Sequence, residues 1–502
     1  MSATPESHGH RYVVQTFGCQ MNAHDSDRME EVLRAHGWTK ALSAEDADLV
    51  VFNTCSVREK AEQKLRSEVG RLAPLKRARP ELVIAVAGCV AQQEGEKLLA
   101  RVAHIDLVIG PDNIAELPDL VMAQMEGAPP RAQTVFDVER PRFLAAAPEP
   151  GHAPVAAMVT TMKGCDERCS FCIVPYTRGP ERYRSAREIV DECARWVDAG
   201  AREVLLLGQT VDSYRDASLT GGASETSETS EAGDDPDETQ FPSLLRMIAR
   251  EVPRLARLRY TSPHPRHATA SLARAHAELD VLAHHIHLPV QSGSDRVLRR
   301  MIRRYTRAEY VTRARRLMAA RPGLTMSTDV IVGFPGETDD DFEATLSLVE
   351  EMGFTTLFGF KYSPRPYTPA LKLGDDVSEE KKSERLARLF ALVEAQGQAH
   401  LLTLVGTTQE VLVEGPSKSG AGMVAGRTIR HEIVHVEAPL DRAAVGQLVE
   451  VTITQANKHS LKGAITPRAL DALPVRALSQ RPSESAPLAA PSRRRALPMV
   501  RA

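Results

Sequence analysis

The stretch AAMVTTMKGCDERCSFCIVPYTRG, residues 156–179, decides how this chain is read. It opens as an apolar, β-branched run of strand character and passes directly into three thiols, Cys165, Cys169 and Cys172, spaced C-x3-C-x2-C. Downstream, EVLLLGQ (203–209), LRYTSP (258–263), HHIHLPV (284–290), TMSTDVIVGF (325–334) and FTTLFGFKYS (354–363) repeat the strand character, with helical patterns between them. Six such strands predict a partial (β/α)6 barrel over residues 155–400. In β/α barrels the carboxyl ends of the strands form the active face, so the three thiols stand where chemistry is done.

Working outward, residues 10–127 alternate strand and helix more tightly. YVVQTF (12–17), DLVVFN (48–53), LVIAVAG (82–88) and IDLVIG (105–110) predict an open, mostly parallel α/β sheet. A Pro/Ala-rich stretch, 128–154, reads as a linker. On the other side, residues 378–402 carry a helical pattern, and QEVLVEG, GMVAGRT, EIVHVEA, QLVEVTITQA and LKGAI predict a small β-barrel over 403–466. Residues 468–502 are rich in Pro, Ala, Ser and Arg and are expected to be disordered. The same expectation holds for the insert 216–240, which has eight acidic and no basic side chains and little to bury.

The formal net charge of -3 hides that insert, without which the chain is mildly basic. Such a balance is compatible with a nucleic-acid partner without establishing one. No apolar run approaches the roughly 20 residues of a membrane span, and the opening MSATPESHGHRY lacks a signal-peptide layout, so a cytoplasmic, monomeric protein is expected. Seven cysteines in such a chain suggest metal or redox chemistry over disulfides.

A structural zinc site wants four ligands, and no fourth Cys or His lies near Cys165, Cys169 and Cys172. Cys193, beside Ile189 and Trp196 in a helical pattern, reads as a core residue. Three thiolates on a 4Fe-4S cluster leave one iron open, which the amine and carboxylate of S-adenosylmethionine can chelate. An electron passed to the sulfonium would yield a 5′-deoxyadenosyl radical, warranted only for hydrogens that no base removes. The loop VGFPGET (332–338) offers Gly333, Pro335, Gly336 and Glu337 for close approach to that cofactor. Cys19, Cys55 and Cys89 each lie just beyond a predicted parallel strand, at the crevice where open sheets collect ligands. They predict a second 4Fe-4S cluster, also with an open iron, where sulfur or a methylthio group would wait.

With these residues in view, the chain resembles the methylthiotransferases of the radical-SAM superfamily. These join an N-terminal cluster domain, a radical-SAM barrel and a C-terminal TRAM domain. TFGCQMN (16–22), NTCSVREKAEQK (53–64), GCVAQ (88–92), CSFCIVPYTRGPER (169–182), TSPHP (261–265), LPVQSGSD (288–295), RRYTR (303–307), DVIVGFPGET (329–338) and YSPRPYTPA (362–370) carry the resemblance, which spans roughly 11–466 and looks like the tRNA-modifying branch. The resemblance implies cluster ligation by Cys19, Cys55 and Cys89 and by Cys165, Cys169 and Cys172. It also implies methylthiolation at C2 of an N6-isopentenyladenosine immediately 3′ of the anticodon, consuming two S-adenosylmethionines. Two places depart from the family pattern: Thr210 and Asp212 stand where asparagines are expected, and Tyr367 where a glycine is usual.

For the tRNA anticodon stem-loop, Arg299, Arg300, Arg303 and Arg304 at helical spacing predict two adjacent basic rows on one helix. Lys418, Arg427 and Arg430, with Lys458 and Lys462, add positive charge to the small barrel. An electron donor such as a flavodoxin or ferredoxin and a sulfur source complete the expected partners. Three rivals share much of this pattern: a sibling acting on threonylcarbamoyladenosine, one acting on a ribosomal protein, and a non-catalytic RNA-binding protein with structural metal.

Overall fold

The computed structural model describes all residues except 1–8, 57–58, 137, 139–140, 152, 222–235, 419, 421, 440–441 and 476–502. The N-terminal sheet is formed by β1 (Arg11–Phe17), β2 (Thr39–Lys40), β3 (Leu49–Thr54), β4 (Val83–Gly88), β5 (Leu107–Ile109) and β6 (Arg131–Gln133), in the order β2-β1-β3-β4-β5-β6 with every pair parallel. β3 and β4 are buried throughout, as a continuous apolar run in a two-sided sheet must be. Alternation divides their side chains: Val50, Phe52, Ile84 and Val86 enter one core with Leu65 and Val69, and Leu49, Val51, Val83 and Ala85 enter the other with Met29 and Leu33. The strand order reverses between β1 and β3, which opens the crevice at their carboxyl ends.

The stretch 128–154 is more than a linker. β6 lies within it and completes the sheet, Leu144 packs on the N-terminal core, and Ala146 enters the next core. Its backbone groups pair with β5 while its three residues, Arg131, Ala132 and Gln133, form no apolar run, so no apolar pattern announced it.

The central unit runs β7 (Ala156–Thr160), a short β8 (Met162–Lys163) and β9 (Arg182–Tyr183) ribbon, then β10 (Glu203–Leu207), β11 (Arg257–Tyr260), β12 (His285–His287), β13 (Thr325–Val332) and β14 (Thr356–Lys361). The sheets β7-β10-β11 and β12-β13-β14 are parallel throughout and meet at a Leu258–Leu282 bridge, forming an open barrel. Helix Ala186–Asp198 lays Ile189, Cys193 and Trp196 on its core, where Cys193 is fully buried. The acidic insert is ordered at both ends: Asp216 accepts from the Ala186 N–H, Ala217–Gly221 is a 3-10 turn, and buried Asp237 pairs with Arg266 and Arg313. Paired carboxylates hold these ends, and residues 222–235 lie outside the described ones.

Helix Glu379–Thr403 leads to a closed barrel of β15 (Thr408–Pro416), β16 (Met423–Thr428), β17 (Ile433–Glu437), β18 (Leu448–Ala456) and β19 (Leu461–Ile465), in the order β15-β16-β17-β19-β18. The first residues of the expected tail are ordered instead, because helix Pro467–Ala472 and buried Leu473 pack on this barrel; residues 476–502 lie outside the described ones. Arg257 and Arg259, at the start of β11, donate to the carbonyls of Thr428, with Arg427 O and Ile429 O also engaged, at 3.0–3.2 Å. The small barrel is thereby seated on the amino ends of the central strands, away from the thiols. Among the described residues no helix is long and apolar enough to cross a membrane.

Candidate active site

Each N-terminal thiol sits just past a strand, where the chain turns into a helix or loop. Cys19 precedes helix Gln20–Ala35, its N–H and Sγ both directed at Asn22 Oδ1 at 3.4 and 3.3 Å. Cys55 follows β3 and donates its N–H to Phe17 O at 2.9 Å, and Cys89 opens helix Cys89–Glu94 after β4. A hydrogen bond with Cys55 pulls the Cys19 thiol down to about 6 against the effect of burial, and Arg178 helps. Burial raises the Cys89 thiol, with Arg178 opposing. The three thiols therefore share one electrostatic environment.

A glycine makes the convergence possible. Gly88 has φ +89°, and a Cβ there would collide with Asn53 Oδ1 and the Thr54 carbonyl. Asn53 in turn donates to Asn22 O at 2.8 Å and Ser26 Oγ at 2.9 Å, and accepts from Asn22 Nδ2 at 3.1 Å. This amide lattice ties β3 to the helix after Cys19. Neither asparagine was expected to have a role; the signals are TFGCQMN and NTCSVREKAEQK, which place them three residues after Cys19 and two before Cys55.

The central trio has the same grammar. Gly164, φ +81°, precedes Cys165, and a Cβ would strike the Pro180 carbonyl. The Gly164 N–H donates to Gln209 Oε1 at 2.6 Å, and Cys165 Sγ lies 3.1 Å from Thr210 Oγ1. Thr210 therefore touches a thiol despite its departure from the family pattern. Asp212 is fully buried; Oδ1 accepts from the His264 N–H at 2.7 Å and Oδ2 has no hydrogen-bond partner among the described residues. Burial pushes its carboxyl up to about 7, against His267 and the His264 N–H, so a protonated Asp212 presents an O–H where an asparagine would present N–H. Burial also raises the Cys165 thiol to about 12 and the Cys172 thiol further still.

Each trio receives one buried arginine. Arg178 Nε donates to Cys89 Sγ at 3.3 Å, and its terminal nitrogen to Asp25 Oδ2 at 2.6 Å. Burial works to raise the Asp25 carboxyl, yet Arg178 and His24 hold it near 2, so the pair is ionised. Arg178 ends the short helix Val174–Arg178 that begins two residues after Cys172, so a central-domain element reaches the N-terminal thiols. Arg303 donates to Cys169 Sγ at 3.1 Å, to Pro289 O at 3.1 Å and to Tyr305 Oη at 2.9 Å. Around them the seam is closed by Glu192, which holds Arg184 and the Ala146 N–H, with Arg28 at 3.8 Å.

Several expected contacts fall elsewhere. The helix expected to carry four arginines is only Asp295–Arg300; Ile302 turns the chain at φ +57° and buries Arg303 against Cys169, leaving Arg299 and Arg304 exposed. Arg300 donates to Pro335 O at 3.0 Å. Arg427 pairs with Glu414, and Arg430 with Glu432 and Gln409, so these two are held within and beside the domain joint; Lys418 is exposed. Lys458 and Lys462 pair with Glu394 and Glu437. In the loop after β13, Gly333 and Gly336 make room for Lys382 and Arg300, not open space. Glu337 is buried, accepting from the Gly333 N–H at 2.6 Å and Arg385 at 2.7 Å, and burial raises it to about 7 against those partners.

Among the described residues no three Cys, His, Asp or Glu close on a single metal ion. The donor chemistry fits iron-sulfur clusters: three thiols per set, two buried and the third, Cys19 or Cys172, half-buried, each set with a buried guanidinium aimed at sulfur.

Three family models match successive parts of the chain. Residues 11–110 match the uncharacterized protein family UPF0004, 159–349 the Radical SAM superfamily and 402–466 the TRAM domain. A solved radical S-adenosylmethionine methyltransferase, TsrM from Kitasatospora setae, aligns at 14% identity with a TM-score of 0.48, covering 82% of this chain and 81% of its own. A tRNA-2-methylthio-N(6)-dimethylallyladenosine synthase of Burkholderia thailandensis is 45% identical over 90% of this chain and 96% of its own. One from Sorangium cellulosum is 61% identical over 98% of this chain and 99% of its own. The chain therefore belongs to the family of tRNA-2-methylthio-N(6)-dimethylallyladenosine synthases, radical-SAM enzymes with a TRAM domain.

Proposed function

We propose that this enzyme transfers a methylthio group to C2 of N6-isopentenyladenosine beside the anticodon of tRNA, with one 4Fe-4S cluster on Cys165, Cys169 and Cys172 and a second on Cys19, Cys55 and Cys89. The observation that carries it is Arg178. A helix starting two residues after Cys172 ends on the guanidinium that engages Cys89, so the two thiol sets belong to one site. When bound, the clusters supply an electron for reductive cleavage of S-adenosylmethionine and a seat for the sulfur to be transferred.

The chain's own part is to bind, orient and shield. Gly88 and Gly164 let the backbone close around each set, and Asn22, Asn53, Gln209 and Thr210 fix the loops. Arg178 and Arg303 offset the negative charge that thiolate ligands bring, because a buried guanidinium stays protonated. The Asp25–Arg178 and Glu192–Arg184 ion pairs close the seam with buried, paired charges, which keeps water from a reactive intermediate. A tRNA is engaged through the TRAM domain and exposed Lys418, Arg299 and Arg304, and a small flavodoxin- or ferredoxin-type donor supplies electrons.

Anaerobically reconstituted protein with reductant, S-adenosylmethionine and isopentenylated tRNA should yield the methylthio nucleoside by mass spectrometry. Cys165→Ala should abolish 5′-deoxyadenosine, whereas Cys55→Ala should abolish thiolation and retain some cleavage. Unimpaired 5′-deoxyadenosine formation by Cys165→Ala would overturn the assignment.

A further inference from the structure

Tyr367 is the family departure that faces solvent. It follows Pro366 in a turn whose Thr368 N–H points to the Arg365 carbonyl at 3.4 Å, and its φ is +67°. Proline followed by a positive φ is the type II pattern, which favours glycine at the second position. Here a tyrosine occupies it, and the residue is 53% exposed. The ring lies 5.9 Å from that of Tyr176, itself 46% exposed, with planes inclined by 35°.

The pair stands over the seam between the thiol sets. Tyr176 is four residues after Cys172 and two before Arg178. The Ala370 N–H donates to the carbonyl of Ser170, within the cysteine motif, at 2.8 Å. Arg365 meets Glu62 on helix Glu59–Ala78, just past Cys55, at 3.3 Å, and exposed Lys97, past Cys89, reaches Tyr367 Oη at 3.5 Å. Two solvent-facing rings and a lysine at the mouth of a nucleic-acid site combine π-surface with positive charge, the recipe for holding an unstacked base.

We infer that Tyr176 and Tyr367 form a stacking platform for one unpaired base of the RNA loop that carries the target adenine; this rests on the proposed tRNA activity. At 5.9 Å the rings are in mutual contact, so the base lies on the pair and not between its members. Specificity is for a flat base in a splayed loop, not for one base identity, because every base has a π-face.

The test uses the anaerobically reconstituted full chain and an isopentenylated anticodon hairpin with 2-aminopurine at a loop position. Tyr367→Gly suits the positive φ and so preserves the turn; unchanged iron content verifies this. It should weaken hairpin binding about tenfold or more and lose 2-aminopurine quenching. Tyr367→Phe should stay within about twofold, and Tyr176→Leu should lose quenching while keeping apolar bulk. The salt slope should not change, since no phosphate contact is removed. If wild-type protein binds and methylthiolates the hairpin while Tyr367→Gly binds and quenches equally, the platform alone is overturned. If wild-type protein binds no hairpin, the tRNA activity falls and the platform with it.

Discussion

Arg178 and Arg303 are both buried, and each donates to a cysteine sulfur across a long sequence interval. A hydrogen bond from a permanent cation stabilises the more negative, reduced state of a thiolate-ligated cluster. Arg303→Met should therefore lower the reduction potential of the central cluster, on the order of 50 mV. Potentiometric titration followed by EPR measures it; an unchanged potential would show that the contact only packs the loop. Asp212 gives a second prediction. Its carboxyl is raised to about 7 by burial, so folding favours the protonated form. That contribution is fully present below its ordinary value near 3.9 and is lost as pH rises through 7. Relative to wild type, Asp212→Asn should gain stability between pH 4 and 7, reaching a few kcal/mol, in thermal melts of the apoprotein. A difference that stays flat with pH would count against the buried neutral acid.

Elements place these residues. Gly88 ends β4 with a backbone that L side chains avoid, next to Asn53 and Thr54. Gly88→Ala should cost at least about 2 kcal/mol and reduce iron bound at Cys19, Cys55 and Cys89, read by urea unfolding and iron analysis. Helix Glu379–Thr403 braces the loop after β13, because Arg385 meets Glu337 with both side chains under 5% exposed. Arg385→Met leaves a buried carboxyl without its cation and should cost about 3 kcal/mol by urea unfolding. The longer strands of all three units were legible, because buried parallel strands read as continuous apolar runs and the small barrel as short Gly-separated ones. β2, β6 and β9 were not: runs of two or three residues show no period, and β6 offers only Ala132 to the core beside its backbone pairing. The arginine rows failed for a related reason: periodicity cannot foresee a turn at Ile302, and that turn converts Arg303 from an expected surface residue into a partner of Cys169.

Across the whole molecule, the thiols and the TRAM barrel occupy opposite ends of the central strands. Arg257 and Arg259 make that seating, donating to the carbonyl of Thr428 at the end of β16 from fully or nearly buried positions. Arg259→Ala should loosen the barrel, enlarging the radius of gyration in small-angle scattering and weakening tRNA binding without loss of iron. For Lys418→Ala, with its side chain in solvent, the slope of log affinity against log salt should fall by about one. The six cysteines, their strand-end positions and the three-part division were determined by the sequence itself, because spacing and apolar periodicity are local properties of the chain. Only the tertiary structure decided what meets across the seam: Arg178 on Cys89, Arg303 on Cys169 and Tyr176 beside Tyr367. The physical reason is that a guanidinium in a sequence carries no mark of burial. Whether it faces water, a phosphate or a sulfur depends on which turns fold it inward, and those turns are settled by packing between residues a hundred positions apart.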